Sequence, residues 1–393
     1  MFDAIVVGAR CSGAATALLL SIGGYRVLLV DRATFPADTM STLYIHQTGV
    51  ALLARWGVLD RVVASGCPRL DRVTYGVDDV RLHGRAATVD GIDCGFAPRR
   101  TALDQALVDA AVRAGAEFVD SRAVVGLLSD GDRVTGVRLA AGPGGETRVP
   151  AALVVGADGM RSTVARLVDA PYEVSAPRAT CVHYSMWEGM RGEFSFYERT
   201  GHWVAVIPSS DDVTFVATYQ PQDRFAAIRT SALEAHLEAV RTTAPEVAEH
   251  MSTSDRTDRL HGSGDQQNFF RTAAGPGWAL VGDAGHHKDS ITARGITDAF
   301  RQAELLADSI GDRLHDQRRL DSALTRFAAG RTAAMSDGYR GTMSVARLQV
   351  NPAKPAMLRA IGASPDLTDR YFEVFAGVRP LDDLLTPQLM AEL

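Results

Sequence analysis

The chain of 393 residues, 46% apolar with a mean hydropathy near zero, has the composition of an ordinary globular protein with room for two domains or one elaborated α/β unit. A formal net charge of −6 gives no electrostatic reason to expect nucleic acid or an anionic membrane as a partner. Four scattered cysteines (Cys11, Cys67, Cys94, Cys181) form no C-x-x-C pair and have no histidine at ligand spacing, which predicts reduced thiols in a cytoplasmic protein and no metal site.

Phe2-Asp3-Ala4-Ile5-Val6-Val7 is an apolar run of the buried parallel-strand kind, followed by a glycine-rich turn. Residues from about Ser12 to Ile22 are rich in Ala and Leu and stop at Gly23-Gly24, which predicts a helix too short to span a bilayer. Tyr25 to Val30 is a second buried strand ending on Asp31, so the chain opens with a βαβ unit. Helical patterns follow over about Thr48 to Trp56 and Thr101 to Ala114. Val124–Leu128 and Val134–Leu139 read as a hairpin around Asp130-Gly131-Asp132. Ala141-Gly142-Pro143-Gly144-Gly145 is a plain turn, and Leu153-Val154-Val155 another buried strand.

From Ala179 to Gln220 the pattern alternates. Cys181, His183, Ser185 and Trp187 share one side; Val182, Tyr184 and Met186 share the other. Four short strands there, with strands added from residues 71–97, predict an antiparallel sheet separate from the βαβ unit. From Ala293 onward the pattern is mainly helical, with Pro352 and Pro355 marking a break.

Three motifs carry chemistry. Gly8-Ala9-Arg10-Cys11-Ser12-Gly13 follows the first strand and opens the first helix, where backbone amides and the helix dipole suit a pyrophosphate. Gly8 permits the turn, and Gly13 allows close packing of helix on strand. Arg10 stands at the usual middle glycine and either turns away from the diphosphate or covers it. Asp31, 18 residues after Gly13 and followed by Arg32, is placed to accept hydrogen bonds from ribose hydroxyls. The other two are Gly156-Ala157-Asp158-Gly159-Met160-Arg161-Ser162 and Gly282-Asp283-Ala284-Gly285-His286, the latter behind the apolar strand Trp278–Val281.

Order and spacing of these segments resemble the flavin-holding segments of the FAD-dependent aromatic hydroxylase superfamily, the single-component flavoprotein monooxygenases. The resemblance covers about residues 1–345. It implies an α/β fold: a Rossmann-like, three-layer ββα FAD-binding domain over 1–70, 98–178 and 260–325, an inserted antiparallel β-sheet substrate domain over 71–97 and 179–259, and a helical C-terminal segment over 326–393. It also implies that Ser12, Gly13 and Arg32 belong to the FAD site, that Asp283 accepts from a ribityl hydroxyl, and that Asp158 serves both FAD and nicotinamide. Arg100 (or Arg99) is implied as the extra cation near the phosphates, and the helix starting at Gly295-Ile296 faces the flavin's pyrimidine edge. Family members often carry Pro where this chain has Ser290 and Gly where it has Ala293.

The implied activity is oxygenation of a small electron-rich, aromatic or natural-product substrate through a flavin C4a-hydroperoxide, with molecular oxygen and with NAD(P)H as transient reductant, or a separate flavin reductase in its place. Candidate bases are His46, His183, Tyr184, Tyr197, His202, Tyr219 and His286. The competing readings are a reductase of the geranylgeranyl type, a non-catalytic flavin-binding protein and a flavin halogenase. The last is disfavoured because Trp203-Val204-Ala205-Val206-Ile207-Pro208 lacks the second tryptophan of the halogenase pattern, and no lysine precedes Lys288.

Overall fold

The computed structural model describes residues 2–85, 87–142, 145–190, 192–379 and 383–384. Phe2–Val7 lies inside a sheet, with Val27–Val30 and then Glu117–Val119 on one side and Gly145–Gly156 and then Trp278–Leu280 on the other, all parallel; Ala274–Gly275 closes the edge antiparallel. The apolar runs are continuous because both faces are covered. Ala4 and Val6 pack in a core with Leu18, Leu103 and Phe300 of the helices Cys11–Ile22, Arg100–Arg113 and Gly295–Ile310, while Ile5 and Val7 face the strands Val124–Asp130 and Arg133–Gly142. The hairpin predicted from Asp130-Gly131-Asp132 forms, and it extends the long strand Gly145–Gly156. Of the predicted turn after it, Gly142 and Gly145 are paired, and Pro143 and Gly144 lie outside the described residues.

Residues 72–85 and 180–221 form most of a second sheet. Its order is Asp255–Arg256, Thr180–Glu188, Val213–Pro221, His202–Pro208, Phe194–Arg199, Arg72–Val77 and Val80–Arg85, with His261–Ser263 also on Thr180–Glu188. The pairing is antiparallel except where Phe194–Arg199 runs parallel to Arg72–Val77. The alternation read from the sequence sorts its faces. Val204, Val206 and Val216 meet the helices Ala232–Thr243 and Pro245–Ser252, while Tyr184, Phe215 and Tyr219 share a core with Ile291 and the helices Lys354–Gly362 and Pro365–Ala376.

Helices begin one residue earlier than their patterns suggest at Gln47–Arg55 and Arg100–Arg113, a normal uncertainty of helix ends. A 29-residue helix, Gln317–Val345, runs behind the loop that follows Gly282. Among the described residues no helix is long and apolar enough to cross a membrane, no metal-ligand group of three is found, and all four cysteines are free and buried.

Candidate functional site

The turn after the first strand is built by close approach. Gly8 has φ +101°, and a Cβ on it would stand 2.5 Å from the Ala157 carbonyl oxygen. A Cβ on Gly13 would stand 1.7 Å from the Gly8 carbonyl oxygen, so only a bare backbone fits where helix meets strand. The helix Cys11–Ile22 has no side-chain cap and no acidic residue in its first turn. Its amide donors are therefore left for an anion.

These groups open on a cleft of about 580 Å³, within the range of small-molecule and cofactor sites. Gly8, Arg10, Ser12, Asp31, Arg32, Arg100, Asp158, Asp283, Gly295 and Ile296 line it; Gly13 and Gly282 stand behind its wall. Asp31 accepts from the Ala9 amide (2.7 Å) and the Ala33 amide (2.8 Å), which ties the strand end to the glycine turn. Arg10 turns aside: its guanidinium donates to Asp104 (3.0 Å) and to the carbonyls of Ala37 (3.1 Å) and Asp38 (3.2 Å). Arg100 donates to both oxygens of Asp104 at 3.0 Å. Arg99 does not line the cleft and pairs with Asp38 at 3.8 Å. Burial pulls the Arg100 guanidinium towards neutrality, but the charge and hydrogen bonds of the Asp104 carboxylate work against it, and the guanidinium stays charged. Asp104 was not singled out by its sequence context, although its spacing of four from Arg100 on one helix is the signal for such a pair.

Asp158 is occupied by its own backbone. Its oxygens accept from the Ser162 hydroxyl (2.5 Å) and from the amides of Thr163 (2.6 Å) and Val164 (3.2 Å), capping the short helix Thr163–Leu167. Burial raises its carboxyl pKa against these bonds. Asp283 is the opposite case. It is exposed to the cleft, and its carboxylate has no hydrogen-bond partner among the described residues, so it is free to accept from a ligand. Gln302 holds the preceding turn by accepting from the Gly282 amide at 3.1 Å. Bare turn backbone, an uncapped helix end and a free carboxylate across one cleft are the donor and acceptor set an extended dinucleotide such as FAD requires, so the residues fit that cofactor.

The loop 286–294 is clamped from outside. Gln266 accepts from the Ser290 amide (3.0 Å) and hydroxyl (2.5 Å), and Asn268 accepts from the Asp289 amide at 2.7 Å. Ala293 takes φ +51°, the left-handed region that favours glycine, which gives a physical reason for the glycine often found there in the superfamily this chain resembles. Buried Lys288 pairs with Asp298 in the first turn of Gly295–Ile310. Burial raises the Asp298 carboxyl, but the Lys288 ammonium outweighs it and the net shift is downward. This pair lines the cleft and was not anticipated, though Lys288 is one of only two lysines. Behind the loop, fully buried Arg331 donates to the carbonyls of Gly285 (2.9 Å) and Arg271 (2.7 Å).

Of the candidate bases, only His286 reaches the cleft. It packs on Phe270 at 4.3 Å, its Nε2 has no partner among the described residues, and burial holds it well below the usual histidine range. His46 is buried with Nε2 against the Thr292 carbonyl (3.2 Å), and burial with the charge of Arg294 lowers its pKa to about 3. His183 is placed elsewhere. It pairs with Thr218, whose hydroxyl meets His236 at 2.9 Å, so it lies on the helix-covered face away from Tyr219. Tyr219 lies behind the cleft wall, its hydroxyl 3.0 Å from that of Ser290, and burial raises its pKa. Tyr197 is on the helix-covered face with Val204 and Val206.

Asp289 gives the loop a pH signature. Its carboxylate accepts from the Thr180 amide (3.2 Å), the Thr180 hydroxyl (2.8 Å) and the Ile291 amide (3.2 Å), yet burial pushes its pKa up to about 6. A folded value above the unfolded one of about 3.9 means a stabilisation fully present below that value and lost as pH rises through 6. Urea midpoints of cofactor-free wild type and Asp289→Asn at pH 4 to 7 are expected to show the wild type losing ground against the variant across that window. A constant difference refutes the assignment.

Comparison with known proteins agrees with this geometry. A family model described as FAD binding domain matches residues 1–336. Rifampicin monooxygenase of Streptomyces venezuelae is 29% identical over 310 residues, 77% of this chain and 56% of that protein, so the chain spans little more than half of that relative's length. 6-Methylpretetramide 4-monooxygenase of Streptomyces rimosus is 26% identical over 346 residues, 82% of this chain and 79% of that protein. Among solved structures, the myxobacterial FAD-dependent chondrochloren halogenase CndH superposes with a TM-score of 0.80 at 22% identity, over 100% of this chain and 96% of that one, a likeness of fold. The match across residues 1–336 identifies the chain as a member of the FAD binding domain family.

Proposed function

We propose that the protein is an FAD-dependent monooxygenase that hydroxylates or otherwise oxygenates a small electron-rich, aromatic or natural-product compound with NAD(P)H as reductant. The observation that carries the reading is the unpartnered Asp283 carboxylate facing Asp31 and the bare Gly8 turn across one cleft. The two relatives named as monooxygenases support the reaction class. In this reading residues 1–70, 98–178 and 260–325 hold FAD, 71–97 and 179–259 form an inserted substrate-side sheet, and 326–393 are a helical C-terminal segment, of which 380–382 and 385–393 lie outside the described residues.

When bound, FAD supplies hydride acceptance and oxygen activation. The chain's residues then bind, orient and exclude water. The uncapped helix Cys11–Ile22 binds the diphosphate, with Arg100 kept cationic nearby. Asp31 and Asp283 accept from hydroxyls at the two ends. Tyr219, whose raised pKa keeps its proton, holds Ser290 on the cleft wall, and Ile291 with Phe215 and Tyr184 keeps that wall dry.

The test is anaerobic mixing of the FAD-loaded protein with NADH and with NADPH, then addition of labelled oxygen gas with a panel of phenols and polyketide-like aromatics. Gain of one labelled oxygen atom in a product supports the reading. A product that gains two hydrogens instead refutes oxygenation in favour of a reductase.

A further inference from the structure

Residues 33–42 leave the end of the second strand and cross the cleft, where Ala33, Thr39, Met40, Ser41 and Thr42 line it. The root of this segment is anchored: the Phe35 amide donates to Asp120 at 2.9 Å, and the Thr34 and Ser121 hydroxyls lie 2.8 Å apart. Beyond the root, the Leu43 amide donates to Ser41 Oγ (3.1 Å) and the Tyr44 amide to the Thr42 carbonyl (2.7 Å) at the far end, and the hydrogen bonds that reach residues 36–42 from distant parts of the described chain are the two from Arg10, to the carbonyls of Ala37 and Asp38. The Arg99–Asp38 pair is longer, at 3.8 Å.

Arg10 is itself aimed. Its side chain is 27% exposed, whereas that of Asp104 is 1% exposed. Asp104 is filled on every side, by Arg10 (3.0 Å), by Arg100 and by the Cys11 thiol (3.2 Å). A core carboxylate thus fixes a guanidinium, and the guanidinium fixes a surface segment. Charge-assisted bonds of a planar fork suit that task. A glycine at position 10 would leave both carbonyls without this partner.

We propose that Arg10, aimed by Asp104, is a positioning residue that straps residues 36–42 over the cleft and sets the rate at which the cofactor enters and leaves. The proposal rests on the FAD reading of the cleft. The hydrogen bonds of Arg10 go to Asp104 and to the carbonyls of the segment; a tether of that kind, whose bonds are the same with the cleft full or empty, changes passage in both directions and leaves affinity almost alone, because only a differential interaction shifts a binding equilibrium. A residue that merely supports the binding surface has another signature: release accelerates, entry does not, and affinity falls.

The test uses Arg10→Met, which keeps an apolar stem beside Phe35, and Asp104→Asn. Hydrogen exchange is followed by mass spectrometry in cofactor-free protein, and FAD fluorescence gives association and dissociation rates. Both variants are expected to exchange faster over residues 36–42, with the first strand unchanged. Both FAD rates are expected to rise about tenfold, with Kd within about threefold of wild type. Unchanged exchange over 36–42 in Arg10→Met overturns the strap. Faster exchange with a raised Kd and slower association overturns the gate and makes Arg10 a binding contact. Wild-type protein that takes up no FAD refutes the reading of the cleft, a failure seen at reconstitution alone, while the exchange data still report on the tether. If Asp104→Asn does not fold, Arg10→Met decides the matter by itself.

Discussion

Gly13→Ala is expected to unfold at a much lower urea concentration than wild type and to purify without FAD. The added Cβ would fall 1.7 Å from the Gly8 carbonyl oxygen and 3.1 Å from the Ala157 Cβ. Neither neighbour is the movable end of a long side chain. Gly8 is fixed by the hydrogen bond its amide donates to the Val30 carbonyl at 2.7 Å, and Ala157 by the one its amide donates to the Val7 carbonyl at 2.8 Å. Relief therefore requires the first helix to lift from the sheet, opening the core that holds Ala14, Ala17 and Leu18. Overpacking ordinarily costs about 1–3 kcal/mol; with backbone as the obstacle, a loss beyond about 4 kcal/mol is expected. Gly295→Ala is the control, since a Cβ there meets nothing within 4 Å, and cofactor-free stability should stay within about 1 kcal/mol of wild type. A Gly13→Ala protein as stable as that control would refute the close-packing argument.

The parts of the fold that were legible are those where local chemistry leaves one option. A buried parallel strand reads as an unbroken apolar run, and Phe2–Val7 with Val27–Val30 could hardly be anything else. The alternation in Thr180–Glu188 separates two faces correctly. It does not say which face looks at the cleft. That depends on the helices Ala232–Thr243 and Pro245–Ser252 covering the side that carries His183 and Ser185. The parallel pairing of Phe194–Arg199 with Arg72–Val77 joins segments more than a hundred residues apart, beyond the reach of any local period. His46 illustrates a different limit. Its segment does run beside the loop 286–294, but a histidine's pKa is set by burial and by Arg294, and neither is written near residue 46. Asp104 was hidden because a carboxylate one turn along a helix usually pairs outward. Here it faces inward and takes two arginines and a thiol.

Asp283→Ala is expected to weaken FAD binding by about a hundredfold while leaving the cofactor-free protein as stable as wild type. The two halves of that expectation come from one observation. Most carboxylates lining the cleft already serve the chain: Asp31 accepts two amides, Asp158 caps a helix, Asp289 holds Thr180 and Asp298 pairs with Lys288. Removing any of these would confound binding with folding. Asp283 is exposed and accepts no hydrogen bond from the described residues, so its deletion leaves no buried donor unpaired. What disappears is an ionised acceptor at the strand end. Bonds to charged groups contribute about 1.5–3 kcal/mol, the larger figure corresponding to roughly a hundredfold in Kd. Asp283→Asn keeps one acceptor oxygen without the charge and should fall between wild type and alanine. Fluorescence titration of cofactor-free protein with FAD gives Kd, and urea unfolding of the same samples gives stability. A lower Kd penalty for alanine than for asparagine, or full FAD occupancy in Asp283→Ala after purification, would move the ribityl grip to another residue of the cleft. Loss of stability in step with loss of affinity would instead make Asp283 a structural residue of the Gly282 turn.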